Sequence, residues 1–283
     1  MKIVLAKTMG YCGGVSRALD LAEEAIAYAS EHALPVYSLG TLIHNPQVIA
    51  TLAKRGMRVI EDPEGHEPGV LVTRAHGIGD GLRNMFIDAG FLLFDATCPV
   101  VRHNLSNIAR WAKTHPILII GHKAHPEVLA MRGVHVDGTP VESLLVTNRE
   151  EAAALTDRPY AVFVQTTFDQ VQLEEIRTAL LSFRHIVYVN EICPSSINRR
   201  MAALELAREC DVVLVVGGRQ SANTRALAEL VSNEGKKAYH IEDGTEIPSE
   251  VFAHDGTVGI LAGASTPPSV IEEVVRTLQR SWT

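Results

Sequence analysis

Short, nearly uninterrupted apolar runs recur along this chain, and each gives way to small or polar residues before helical periodicity takes over. Ile3-Val4-Leu5-Ala6 is the first, followed by a glycine-bearing turn and an amphipathic stretch over 15–28. Comparable runs occupy 70–72, 91–94, 117–120, 161–164, 186–189, 211–216 and 258–261. Helical spacing of apolar residues appears at 173–181, 199–208, 227–231 and 270–278. Runs this short and this apolar predict strands buried on both faces, in parallel sheets covered by the intervening helices. The expected fold class is α/β.

With 283 residues, 46% of them hydrophobic, the chain has enough apolar surface for two or three small units. Its 26 basic and 33 acidic residues give a formal charge of -7 without an extended basic tract. Nothing in that distribution would hold a phosphate backbone non-specifically, so no nucleic-acid partner is expected. No apolar run approaches the roughly 18 residues of a spanning helix. The start Met1-Lys2-Ile3-Val4-Leu5 is too short an apolar stretch for a signal peptide ahead of the Cys12-Gly13-Gly14 turn. A cytoplasmic protein without a membrane partner is the expectation.

In open α/β sheets, ligands collect beyond the carboxyl ends of the strands. Here those tips read His44-Asn45, Ala75-His76-Gly77, Thr97-Cys98-Pro99, His122 through Glu127, Gln165-Thr166-Thr167, Ile192-Cys193-Pro194, Ser221-Ala222-Asn223 and Gly263-Ala264-Ser265. From Cys12 it is 32 residues to His44 and 32 more to His76. From Cys98 it is 27 to His125 and 41 to Thr166; from Cys193 it is 28 to Ser221 and 44 to Ser265. This rhythm predicts three similar α/β domains, 14–97, 98–192 and 193–283, the last joined by the N-terminal strand of 1–13. They would stand in pseudo-threefold arrangement with one cysteine from each pointing inward. The plain alternative is that all short α/β units have polar strand ends.

Cysteines at 12, 98, 193 and 210 form neither a dense disulfide pattern nor a CxxC pair. Three converging thiolates suit an iron-sulfur cluster, while zinc usually completes its tetrahedron with a further His or Cys. A four-iron cluster on three cysteines leaves one iron able to activate a substrate oxygen. Cys210, at the head of the apolar run 211–216, is expected to be a small buried hydrophobe. His44, His76 and His125, with Ser221, Asn223 and Ser265, suggest a pocket for a strongly anionic group such as a phosphate or diphosphate. At this level a zinc-dependent hydrolase and a non-redox phosphometabolite enzyme or binding protein remain alternatives.

The ordered motifs add a resemblance that spans essentially the whole chain. Gly10-Tyr11-Cys12-Gly13-Gly14-Val15, Leu42-Ile43-His44-Asn45, Ala75-His76-Gly77 and Asp95-Ala96-Thr97-Cys98-Pro99 come first. Gly121 through Glu127, Gln165-Thr166-Thr167 and Ala262-Gly263-Ala264-Ser265 follow in the same order. Together they resemble the hydroxymethylbutenyl diphosphate reductase (LytB/IspH) family. The resemblance implies three α/β domains around a central 4Fe-4S cluster ligated by Cys12, Cys98 and Cys193. It implies reductive dehydroxylation of an allylic diphosphate to isopentenyl and dimethylallyl diphosphates, with a ferredoxin or flavodoxin as electron donor. It also implies that His44, His76, His125, Ser221, Asn223 and Ser265 surround the diphosphate, while Glu127 and Thr166 handle the substrate hydroxyl and its protons. The chain departs from the family pattern at Met9, where an arginine is common, at Pro194 after the third cysteine, and at Ala222, where a second serine is usual. A paralogous iron-sulfur reductase acting on another substrate is the alternative these departures raise.

Overall fold

The computed structural model describes residues 2–43 and 45–280. Its first third contains β1 (Lys2–Leu5), α1 (Gly13–Glu31), β2 (Val36–Leu39), α2 (Pro46–Lys54), β3 (Met57–Ile60), β4 (Val70–Val72), α3 (Asp80–Asp88) and β5 (Leu92–Phe94). The middle adds α4 (Pro99–Trp111), β6 (Ile117–Ile120), α5 (Pro126–Arg132), β7 (His135–Val136), β8 (Thr139–Pro140), β9 (Ser143–Val146), α6 (Arg149–Ala153), β10 (Ala161–Val164), α7 (Gln170–Leu180) and β11 (Val187–Tyr188). The last part holds α8 (Pro194–Glu209), β12 (Val212–Val216), α9 (Ala222–Asn233), β13 (Lys237–Ile241), α10 (Ser249–Phe252), β14 (Thr257–Ala262) and α11 (Pro268–Arg280).

Apart from the small β7-β8 hairpin, the strands form three parallel four-stranded sheets, β5-β4-β2-β3, β11-β10-β6-β9 and β1-β14-β12-β13. The three share one plan. An edge strand leads to a cysteine: β5 to Cys98, β11 to Cys193, β1 to Cys12. The next strand ends at His76, Thr166 or Ser265, and the third runs into α2, α5 or α9. In the last sheet the edge strand comes from the opposite end of the chain, with Lys2 to Leu5 in register with Thr257 to Ile260. The chain divides into two compact units. One takes the described residues of Met1–Ser16, Ile43–Arg55 and Pro194–Thr283 and contains the β1-β14-β12-β13 sheet; the other takes Arg17–Leu42 and Gly56–Cys193 and contains the remaining two.

Alternation of side chains along a strand explains how the sheets are buried. In β12, Val212, Leu214 and Val216 join Val270, Ile271, Val274 and Leu278 of α11 on one face. Val213 and Val215 meet Ala202, Ala203 and Leu206 of α8 and Leu227 and Val231 of α9 on the other. Each large aliphatic side chain fully buried this way contributes on the order of 1.5–3 kcal/mol. In the β11-β10-β6-β9 sheet, Ile117, Ile119 and Phe163 pack against Ile108, Val128 and Met131. No helix among the described residues is long and apolar enough to cross a membrane.

The apolar runs of the sequence coincide with strands, with the 186–189 run reduced to Val187–Tyr188. Within the three parallel sheets, four strands escape that reading, as do β7 and β8 of the hairpin. Of these, β3, β9 and β13 are outer strands whose partly exposed residues break any continuous apolar run. In β2 all four residues are buried, but Tyr37 and Ser38 interrupt the pattern. Their hydroxyls donate to the carbonyls of Glu67 at 3.0 Å and Gly40 at 2.9 Å, which is what permits them inside.

Candidate functional site

In the larger unit, β6 runs into the turn at Gly121, where an added Cβ would lie 2.6 Å from Val128 and 2.9 Å from Gln165. Only glycine fits this approach. The Gln165 side-chain oxygen accepts from the His122 amide at 2.9 Å and ties the β6 tip to the β10 tip. His125 then caps α5, with its Nδ1 accepting from the Glu127 amide at 3.2 Å. A ring that accepts at Nδ1 carries its neutral-form hydrogen on Nε2, as a donor. The His76 ring stands edge-on to that of His125, with centroids 5.3 Å apart.

In the first turn of α5, Glu127 is 1% exposed. Both of its carboxyl oxygens face Thr166: the Thr166 amide donates to Oε1 at 2.9 Å and its hydroxyl to Oε2 at 2.7 Å. Burial pushes the Glu127 carboxyl up to about 7, against the downward pull of those two bonds. The pair therefore joins a carboxyl group that exchanges its proton near neutrality to a hydroxyl fixed in orientation.

The cysteine loops attach to these same tips. The Cys98 amide donates to the Ala75 carbonyl at 3.0 Å, next to His76, and the Cys193 amide donates to the Thr166 carbonyl at 2.9 Å. In the other unit the Cys12 amide donates to the Ala264 carbonyl, next to Ser265, at 3.4 Å. None of the three cysteines is in a disulfide, each is half-buried, and each immediately precedes a long helix, α1, α4 or α8. At Cys12 the Val15 amide points at the sulfur from 3.4 Å. Pro99 and Pro194 both take the first helical position, where the missing N–H leaves no bond unmade. The departure at Pro194 thus repeats a device already present beside Cys98. Cys210 differs in kind: it is 1% exposed within the α8-β12 core, and burial pushes its thiol up to about 11.

The same unit holds the hydroxyl and amide groups. Ser221 caps α9, its Oγ accepting from the Thr224 amide at 3.3 Å, which leaves its hydroxyl hydrogen to donate elsewhere. The Asn223 Nδ2 is buried without a hydrogen-bond partner among the described residues. Gly217 and Gly263 approach Thr224 and Thr266 so closely that a Cβ at either would collide with a threonine hydroxyl. Ser265 is half-buried on the β14 tip. His44 lies outside the described residues; its neighbour Asn45 caps α2 through Val48 at 3.1 Å.

The structure thus brings His76, His125, Glu127 and Thr166 together in one unit, with Cys98 and Cys193 bonded to their tips. Ser221, Asn223, Ser265 and Cys12 lie in the other. Among the described residues, no three His, Cys, Asp or Glu side chains gather as ligands for a single metal ion. Three supporting residues carry no role in the sequence reading. Gln165 and Asp95 stand inside motifs it quotes, whereas the buried Arg199 gives no local signal.

Comparison with known proteins is consistent over the whole length. A family model described as LytB protein matches residues 3–279. The 4-hydroxy-3-methylbut-2-enyl diphosphate reductase of Caldanaerobacter subterraneus subsp. tengcongensis is 37% identical over 286 residues, covering 99% of this chain and 97% of the relative. That of Solidesulfovibrio magneticus is 36% identical, covering 99% of each. Among solved structures, the E-1-hydroxy-2-methyl-but-2-enyl-4-diphosphate reductase from Plasmodium falciparum superposes with a TM-score of 0.87 at 25% identity, over 97% of this chain and 87% of that one. A second, described as (E)-4-hydroxy-3-methyl-but-2-enyl diphosphate reductase, the terminal enzyme of the non-mevalonate pathway, gives 0.74 at 30% identity, over 99% and 100%.

Proposed function

The chain belongs to the LytB family, and from that membership we propose that it reduces 4-hydroxy-3-methylbut-2-enyl diphosphate to isopentenyl and dimethylallyl diphosphates. The balance is two electrons and two protons in, and one water and one allylic or isomeric diphosphate out. The observation that carries this reading is the Glu127–Thr166 pair, a buried acid with a proton to give near neutral pH. A four-iron cluster would, when bound, relay the two electrons one at a time from an external donor and supply a Lewis-acidic iron.

We assign Cys12, Cys98 and Cys193 as its ligands. Support comes from the chemistry of the donor set: three cysteines outside any disulfide, each half-buried at the start of a helix and each bonded through its amide to a strand tip, while Cys210 is sealed in a core. The recurring strand order likewise supports reading 14–97, 98–192 and 193–283 as three domains.

Glu127 provides the proton that lets the substrate hydroxyl leave as water. The Thr166 amide donates permanently to Oε1, so the proton of the neutral acid belongs on Oε2, the oxygen facing the Thr166 hydroxyl. Thr166 can then accept that proton and donate its own to the substrate oxygen, orienting it in the same act. His125 offers Nε2–H, and with His44, His76, Ser221, Asn223 and Ser265 it binds the diphosphate. The electrons come from a ferredoxin or flavodoxin.

The test is anaerobic purification followed by assay with hydroxymethylbutenyl diphosphate and a reduced dye. A brown protein with about four irons per chain that forms both products is the expected outcome. A colourless protein that binds the diphosphate without reducing it would refute the proposal.

A further inference from the structure

Resting on the assignment of Cys12 as a cluster ligand, we infer that Arg199 is a positioning residue that holds the Cys12 loop and places a permanent positive charge behind it. Arg199 lies on α8 and is 2% exposed. Its Nη2 donates to the carbonyl of Gly10, two residues before Cys12. Its Nη1 donates to the Ser195 hydroxyl at 2.6 Å and to the Ser195 carbonyl at 3.2 Å. One planar guanidinium thus joins the approach to the first cysteine with the first turn of the helix that follows the third, across 189 residues of sequence.

The Cys12 loop needs such a tie more than the other two. The amides of Cys98 and Cys193 make bonds of 3.0 and 2.9 Å to their strand tips, whereas that of Cys12 reaches its tip only at 3.4 Å. The Cys98 loop is further held by Asp95, which accepts from the Thr97 amide and hydroxyl. The Cys193 loop is held by Asn190, whose side chain bonds both the amide and the carbonyl of Val164. In the Cys12 loop, Arg199 takes the corresponding part. Gly10 has φ +73°, and a Cβ there would press on Ile271, so the loop is seated against α11 on one side and drawn to Arg199 on the other. An arginine stays charged at every physiological pH, and its fork fixes direction in a way that a lysine ammonium does not.

The experiment compares the anaerobic holoenzyme with Arg199→Gln, Arg199→Lys and Ser195→Ala, reading release of iron to a chelator, the cluster's midpoint potential and the melting of each apoprotein. Residues that orient ligands from behind typically change metal retention by roughly 10–100-fold. Iron release that much faster in Arg199→Gln, a more negative potential in Arg199→Gln but not in Arg199→Lys, and a smaller acceleration in Ser195→Ala are expected. Iron retention and potential like the parent's in Arg199→Gln would overturn the inference. So would an Arg199→Gln apoprotein that fails to fold while Ser195→Ala holds iron like the parent, since Arg199 would then be a packing residue. A parent protein that takes up no iron would instead refute the function proposed above.

Discussion

Two carboxylates in the larger unit are held by the same device and end in opposite states. Thr166 gives Glu127 an amide and a hydroxyl, at 2.9 and 2.7 Å. Thr97 gives Asp95 an amide at 3.0 Å and a hydroxyl at 2.5 Å, both on Oδ1. Yet Glu127 is raised to about 7 while Asp95 is lowered to about 2. Burial opposes the charge of both. At Glu127 it outweighs the two Thr166 bonds. At Asp95 it is the largest single influence, but the Thr97 bonds together with the Arg83 guanidinium override it. Arg83 and Arg102 stand 3.1 and 3.2 Å from Asp95 Oδ2. A threonine clamp fixes where a carboxylate points; depth and nearby cations decide whether it keeps its proton. One group can therefore deliver protons, and the other can only anchor the loop that carries Cys98.

The strongest way to break this contrast is Glu127→Gln. It should lower kcat by about 10²–10⁴-fold while leaving iron content and the visible spectrum unchanged, and unaltered turnover would remove Glu127 from its role. The same variant tests linkage. Between pH 4.5 and 7 the native carboxyl binds more protons than the unfolded one, so stability falls as pH rises through that window and then levels off. The loss amounts to roughly 3 kcal/mol, and denaturant titrations of Glu127→Gln should lack it.

Asp95 has the opposite sign. Its stabilisation is present above 3.8 and is lost as pH falls through about 2. Asp95→Asn should therefore remove roughly 2 kcal/mol at neutral pH and much less near pH 2, as measured by denaturant midpoints. Equal stability of variant and parent at pH 7 would show that the Arg83 pairing contributes nothing.

Thr166→Val sharpens the comparison by deleting the hydroxyl half of one clamp. The hydroxyl lowers the Glu127 pKa, so the midpoint of the alkaline fall in kcat should move upward, with a smaller loss of rate than in Glu127→Gln. A midpoint that stays in place would mean the hydroxyl does not govern that proton. The smallest effect belongs to Cys210→Ala, which should cost about 1 kcal/mol of packing and no iron. Loss of the cluster in that variant would overturn the ligand assignment.

Much of this molecule is local and therefore legible in the sequence. Runs such as Ile117–Ile120 and Val212–Val216 are apolar at every position because they lie inside parallel sheets, and the polar tips follow because chain direction puts every carboxyl end on the same side of its sheet. The outer strands β3, β9 and β13 stayed hidden because one part of each meets water. Ordered motifs placed Glu127, Thr166 and the cysteines among the candidates, but no local pattern says that Glu127 is sealed from solvent beneath a threonine 39 residues away. Nor does it say that β1 completes a sheet begun near residue 212, or that Arg199 reaches Gly10. Periodicity records what a residue's neighbours along the chain require. Protonation state, loop anchoring and sheet closure depend on groups that meet only after the chain has folded, and these were decided by the tertiary structure.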